Sequence, residues 1–169
     1  MEISAVVAAS ENNAIGIKGE LPWRLPADME FFKNVTMGHH VLMGRKSWDA
    51  LPPKYRPLNG RVNIVITRQK DFKADEAVVF STIDEGIMYA EAHGEKELMI
   101  IGGGQIFKQA LPEIDRVYLT RVHHIFKEAD AYFPELPAAD WHQVHKEHHP
   151  VDAKHKYSFD FLTYERKRH

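Results

Sequence analysis

The sequence predicts an α/β fold: a single-domain mixed sheet of about eight strands, mostly parallel and twisted. About four helices flank the sheet, and an antiparallel hairpin forms its C-terminal edge. Three observations predict this. Short apolar, β-branched runs alternate along the chain with segments of helical pattern. Two of those runs end in glycine and lead straight into a helix. The last two, Trp141 to His149 and Tyr157 to Tyr164, follow one another with no helix between them. Such a pair, joined around Pro150 and Asp152, reads as an antiparallel hairpin.

Taken in order, Ile3 to Ala9 is a buried strand. Pro26 opens a helix running from Ala27 to about Val35; proline suits a first helical position because its missing N–H is not needed there. Val41-Leu42-Met43 is a second strand, ending at Gly44. Val62 to Thr67 and Val78 to Phe80 are the third and fourth. Thr82-Ile83-Asp84-Glu85 matches a capping box, and the helix after it carries Ile83, Ile87 and Ala90 on one face. Leu98 to Ile101 is a fifth strand, followed by three glycines and a helix through Ala110 that Pro112 ends. Val117 to Val122 is a sixth. No repeat or linker interrupts the 169 residues, so residues 1–169 read as one domain.

Composition narrows the function. Apolar residues make 44% and charged residues 27%, ordinary for a globular chain, and a net charge of -2 lacks the basic excess a nucleic-acid surface needs. The absence of cysteine removes disulfides, thiolate zinc sites and cysteine nucleophiles together. Glu2 stands where a signal peptide would carry bases, and no apolar run approaches the roughly 20 residues that span a bilayer. The expectation is a soluble cytoplasmic protein without a membrane or nucleic-acid partner. Eleven histidines are present, with His142, His145, His148 and His149 crowded near the end. They read as a solvated strand face rather than a metal site, because no convincing ligand set accompanies them in the sequence. No metal is expected.

Four constellations carry chemistry. Ile101-Gly102-Gly103-Gly104-Gln105-Ile106-Phe107 is a strand end, a glycine turn and a helix start. Bare backbone at a helix N-terminus offers N–H donors to phosphate. It is not the Rossmann fingerprint, since Phe107 stands where the last glycine belongs, and a tight turn without a ligand is the competing reading. Met43-Gly44-Arg45-Lys46-Ser47-Trp48 repeats the arrangement with two cations and a hydroxyl; its lysine is one place too late for a Walker A loop. Cations are disfavoured at that end of a helix, so a bound anion explains Arg45 and Lys46 better than a solvated helix start does. Two such turns suit the two ends of a dinucleotide pyrophosphate, and Arg68 adds a cation at the same sheet edge. In Leu21-Pro22-Trp23-Arg24-Leu25-Pro26-Ala27-Asp28, the carboxylate of Asp28 falls in the first helical turn beside Met29 and Phe32. It is either a helix cap or a functional acid among apolar neighbours. Arg61 follows Leu58-Asn59-Gly60 at the start of a strand.

Ala14-Ile15-Gly16, Leu21-Pro22-Trp23, Leu25-Pro26-Ala27-Asp28, Met43-Gly44-Arg45, Leu58-Asn59-Gly60-Arg61 and Ile101-Gly102-Gly103-Gly104 together resemble dihydrofolate reductase, in that family's order and over the whole chain. The resemblance implies reduction of 7,8-dihydrofolate to 5,6,7,8-tetrahydrofolate by hydride transfer from NADPH, serving one-carbon metabolism and nucleotide synthesis in an antifolate target. It implies that Asp28 binds the pterin, with Trp23, Leu21 and Thr120 placing water near that contact. Val6, Val7, Met29, Phe32, Lys33, Leu51, Leu58, Ile101 and Phe107 would line the substrate site, and Arg61 would hold a substrate carboxylate. Ala8, Ile15, Gly16, Gly44, Arg45, Lys46, Ser47, Thr67, Arg68, Ile101, Gly102, Gly103, Gly104, Gln105, Ile106 and Phe107 would hold NADPH. The loop from Gly16 to Leu21 would close over the nicotinamide, the peptide between Gly102 and Gly103 would be cis, and the chain would act as a monomer. Phe107 replaces a tyrosine and Gln105 an arginine found in some relatives, and Pro52 to Pro57 looks longer than usual. A riboflavin-pathway reductase of the same fold and a non-catalytic nucleotide-binding module are the competing readings. Asp28 together with Arg61 argues against the first, and turnover would separate the second.

Overall fold

A computed structural model describes residues 1–16 and 21–168. In chain order the elements are β1 (Glu2–Ser10), β2 (Ala14–Gly16), α1 (Pro26–Thr36), β3 (His40–Gly44), α2 (Arg45–Ala50), β4 (Val62–Ile66) and β5 (Val78–Phe80). They continue with α3 (Ile83–Ala92), β6 (Glu97–Gly102), α4 (Gly104–Ala110), β7 (Arg116–Val122), β8 (Ala131–Tyr132), β9 (Trp141–His149) and β10 (Phe159–Arg166). Eight strands form one sheet in the order β5-β4-β3-β6-β1-β7-β10-β9. Every pairing from β5 to β7 is parallel, and β7-β10 and β10-β9 are antiparallel. The mixed, mostly parallel sheet with an antiparallel C-terminal edge is therefore as the sequence predicts.

Alternation along the strands divides the core into two layers. Val6, Val41, Met43, Val65 and Met99 share one face with Trp48, against Phe32 and Val35 of α1. Ala5, Val7, Leu42, Ile64 and Ile100 share the other, against Ile87 and Ala90 of α3 and Ile106 and Phe107 of α4. The cap of α3 forms as its sequence suggests: the Thr82 hydroxyl oxygen accepts the Glu85 N–H at 3.1 Å.

Two details differ from the sequence reading. β2 and β8 pair as a separate small sheet. At three and two residues they are too short to show a period. The last strand starts at Phe159, two residues later than expected, opposite His149. Asp152 and His155 exchange backbone hydrogen bonds, so the residues before Phe159 belong to a closed loop. No helix among the described residues is long and apolar enough to cross a membrane.

Candidate active site

Parallel strands share a carboxyl edge, and open α/β sheets bind ligands there. The adjacent strands β4, β3 and β6 end at Ile66, Gly44 and Gly102, with Gly44 opposite Ile66 and Met43 opposite Gly102. The sheet thus gathers three segments that are far apart in sequence: Gly44-Arg45-Lys46-Ser47, Thr67-Arg68, and Gly102 to Ile106. The two glycine turns touch. A Cβ on Gly44 would lie 2.9 Å from Ile106 Cγ1, and one on Gly103 would lie 3.3 Å from Ser47 Oγ. Gly102 has φ +121°, a conformation that favours glycine, and the Gly102–Gly103 peptide is cis. A Cβ on Gly104 would meet the Tyr132 carbonyl oxygen at 3.1 Å and Ile15 Cδ1 at 3.7 Å, which brings Ile15 of β2 to the second turn. Gln105 is exposed there, while Ile106 and Phe107 are buried.

Lys46 and Arg68 are exposed at this edge. Arg45 is not free: its Nη1 pairs with Asp49 Oδ2 at 2.8 Å, one helical turn away. Bare backbone in two adjoining turns, with three cations around it, fits the pyrophosphate and 2′-phosphate of a dinucleotide.

The second half of the site is α1. Its N-cap, Leu25, supplies no side-chain hydrogen bond. His155 does so instead, from the loop before β10: its Nε2 accepts the Ala27 N–H at 3.1 Å, and its Nδ1 faces Asp152 Oδ1 at 2.8 Å. The carboxylate fixes the tautomer, with Nδ1–H donating and Nε2 free to accept. Asp28 follows immediately. Thr120 of β7 donates its hydroxyl to Asp28 Oδ1 at 2.6 Å. Burial pushes the Asp28 carboxyl above its ordinary pKa, and the Thr120 bond only partly offsets this. Asp28 nevertheless keeps a partly exposed edge. On the neighbouring strand, Ala8 sits opposite Thr120.

Around Asp28, the Trp23 ring is buried and lies 5.5 Å from the Phe126 ring. Its Nε1–H has no acceptor among the described residues. Val6, Phe32, Leu51, Leu58 and Ile101 meet in one apolar cluster. Leu21 and Met29 are exposed, at 56% and 58%, and so is Lys33. The side chains of Val7 and Phe107 depart from the expected wall. Val7 alternates with Val6 and points to the opposite layer, where Phe107 also packs. On the α1 side of the sheet Val7 offers backbone. Residues 17–20 of the expected closing loop lie outside the described residues.

Arg61 is held from two directions. Its Nε donates to the Asn59 carbonyl at 2.8 Å and its Nη1 to Thr36 Oγ1 at 3.1 Å, while the Thr36 hydroxyl donates to the Phe32 carbonyl at 2.7 Å. Burial lowers its pKa from the usual arginine value. The turn before it requires glycine: Gly60 has φ +73°, and a Cβ there would lie 2.4 Å from Met37 Sδ.

Three positioning residues escape a reading of the sequence. Asn63 is 1% exposed; it accepts the Leu58 N–H at 2.9 Å and donates to the carbonyls of Leu58 and Arg61, both at 3.0 Å. An asparagine in a buried apolar strand is a visible signal for such a strap. Thr36 and His155 carry no comparable signal. A fourth arrangement concerns the histidines. The fold brings His148 of the histidine-rich stretch against His123 and Asp160, a ligand set that the sequence does not display.

A family model described as dihydrofolate reductase matches residues 2–166. The chain is 38% identical over 165 residues to the dihydrofolate reductase of Bacillus subtilis, covering 98% of this chain and 95% of that one. It is 47% identical over 136 residues to that of Mycobacterium leprae, covering 79% and 81%. Among solved structures, dihydrofolate reductase from Enterococcus faecalis complexed with NADP(H) and RAB-propyl superimposes with a TM-score of 0.90 at 34% identity, over 99% of this chain and 97% of that one. By sequence along nearly its whole length and by fold, this chain belongs to the dihydrofolate reductase family.

Proposed function

We propose that this chain is an NADPH-dependent oxidoreductase that reduces 7,8-dihydrofolate to 5,6,7,8-tetrahydrofolate, supplying one-carbon units for nucleotide synthesis. The observation that carries the reading is Asp28, a largely buried carboxylate tied to Thr120, on the helix whose Phe32 and Val35 pack in the cluster that holds Met43 and Trp48 on either side of the first glycine turn. NADPH, when bound, supplies the hydride. The glycine turns at Gly44 and Gly102 to Gly104 would take its pyrophosphate, with Ser47, Thr67, Gln105 and Ile106 around them. Lys46, Arg45 and Arg68 would meet its phosphates. Ala8, Ile15 and Gly16 would flank the nicotinamide end.

The chain's own residues then do three things. Asp28 holds the pterin: Thr120 occupies one lone pair of Oδ1, which leaves Oδ2 and the rest of Oδ1 to accept two neighbouring ring donors. Arg61, steadied through Nε and Nη1, keeps other N–H groups for a substrate carboxylate, and a planar guanidinium can take that carboxylate in a two-bond grip. Val6, Phe32, Leu51, Leu58 and Ile101 exclude water and fix the pterin face, with Met29 and Lys33 at the exposed rim. Alignment of this kind supplies roughly 7–11 kcal/mol of barrier reduction. Asp28 is tied to the recognition contact, so the proton for the reduced ring nitrogen comes from water ordered near Leu21, Trp23 and Thr120. The buried Trp23 Nε1–H, which has no acceptor among the described residues, supports such a water.

Residues 1–169 act as one domain, a cytoplasmic monomer without a membrane or nucleic-acid partner, and its pterin pocket makes it an antifolate target. The test is loss of NADPH absorbance with dihydrofolate present. Steady turnover supports the reading; NADPH binding with no turnover would favour a nucleotide-binding module.

A further inference from the structure

We propose that His123, His148 and Asp160 form a binding site for a divalent transition-metal ion, with zinc(II) as its natural probe, on the antiparallel edge of the sheet and apart from the reductase cleft. The proposal does not depend on the catalytic reading. The backbone sets the three residues together. His148 of β9 lies opposite Asp160 of β10, and the N–H of His123, just past β7, donates to the Ser158 carbonyl at 3.0 Å. His148 Nδ1 is 2.6 Å from Asp160 Oδ1, and His123 Nε2 is 3.2 Å from Asp160 Oδ2. One ligand atom from each residue lies within 4.8 Å of the other two. Ligands about 2.1 Å from a tetrahedral zinc are themselves roughly 3.4 Å apart, so small side-chain adjustments complete the set.

The surroundings are built for coordination as well as for hydrogen bonding. The Asp160 side chain is only 9% exposed, whereas that of His148 is 57% exposed, which leaves an open side for water as further ligand. His123 Nδ1 faces the Glu11 carboxylate. That partner holds a proton on Nδ1, so when a cation replaces the Nε2 proton now shared with Asp160, Nε2 is already aimed at the cluster, the arrangement that orients metal-bound imidazoles. Two imidazoles and one carboxylate suit zinc, nickel or copper better than magnesium or calcium. Lys146 opposes a cation, with Nζ 3.9 Å from Asp160 Oδ2. Its side chain is 59% exposed and can withdraw into solvent, so the expected affinity is moderate rather than tight. A bound ion would tie β7, β9 and β10 together and stabilise the folded chain by mass action.

The experiment is calorimetric titration of the untagged full-length protein with zinc chloride, with thermal unfolding followed in parallel. The expected result is one saturable equivalent per chain and a higher Tm with zinc. His148→Gln, at an exposed position, and Asp160→Asn should each weaken binding at least roughly tenfold and remove the Tm rise. His145→Gln, an exposed histidine of the same strand outside the cluster, should bind as the parent does. Zinc should also move the NMR signals of the His123 and His148 rings. Absence of saturable binding, undiminished binding by the His148 and Asp160 variants, or an equal loss in His145→Gln would each overturn the proposal.

Discussion

His155 Nε2 accepts the backbone N–H of Ala27 at 3.1 Å, so a side chain from the loop before β10 caps the helix that presents Asp28. The helix has no side-chain cap of its own, because the hydrocarbon side chain of Leu25 cannot accept a hydrogen bond. Removing a cap costs about 0.5–2 kcal/mol. His155→Ala should therefore lower stability by that amount and lower kcat/KM for dihydrofolate, with NADPH affinity unchanged. His155→Gln should recover part of both, since its amide oxygen can accept the same N–H. Equal kinetics in parent and His155→Ala would show that the cap does not position Asp28. Urea unfolding and steady-state kinetics on the three proteins decide it.

Among the described residues Thr120 is the one side-chain donor found on Asp28, and its bond opposes the effect of burial. Thr120→Val keeps the shape and removes the donor. The Asp28 carboxyl should then titrate higher still than in the parent. A carboxyl-carbon NMR titration of the protein without ligands checks this; an unchanged or lower pKa contradicts it.

Asp28 also has a stability consequence. Its folded pKa is raised above the unfolded value of 3.8. Between those two values the unfolded chain has lost the proton while the folded chain keeps it, so stability falls as pH rises through that window and stays lower above it. Asp28→Asn removes this penalty, and its amide oxygen can still accept from Thr120. The variant should show a higher Tm than the parent at pH 7, with the gain shrinking as pH falls from the raised folded value toward 3.8 and absent below it. A lower Tm at pH 7 would mean that Asp28 stabilises the fold after all.

Cofactor preference should rest on Arg45 and Arg68. Charge-assisted bonds are worth roughly 1.5–3 kcal/mol each. Arg68→Ala or Arg45→Ala should weaken NADPH about ten- to a hundred-fold and affect NADH less. Arg45 is paired with Asp49, so Asp49→Asn should tighten NADPH modestly by releasing it. Equal losses for both cofactors in direct binding measurements would remove these arginines from phosphate recognition.

The sequence carries the parts of this account that are local. Gly44 and Gly102 to Gly104 each end an apolar strand and open a helix, so both turns are visible as patterns of a few residues. Asp28 is visible for the same reason, in the first turn after Pro26. What cannot be read locally is pairing across the chain. His155 and Ala27, His123 and Asp160, and Ala14 and Tyr132 meet only because the sheet order brings β7, β10 and the loops at its ends together. The opposite facing of Val6 and Val7 was available from strand alternation, and it separates two residues that the resemblance places in one wall.

The central claim is that Asp28 holds a pterin for reduction by NADPH. Turnover of dihydrofolate by Asp28→Asn beside the parent, across pH, with NADPH binding measured separately, tests it most directly. The amide presents an NH₂ to a pterin donor where a second acceptor is needed, an unpaired contact in a dry pocket. Turnover at neutral pH should fall at least roughly a hundred-fold, about 2.7 kcal/mol of barrier. It should partly recover in acid, where solvent protonates the substrate beforehand, and NADPH affinity should hardly change. Normal turnover by the variant at neutral pH would contradict the account and leave Asp28 with no role beyond the first turn of its helix.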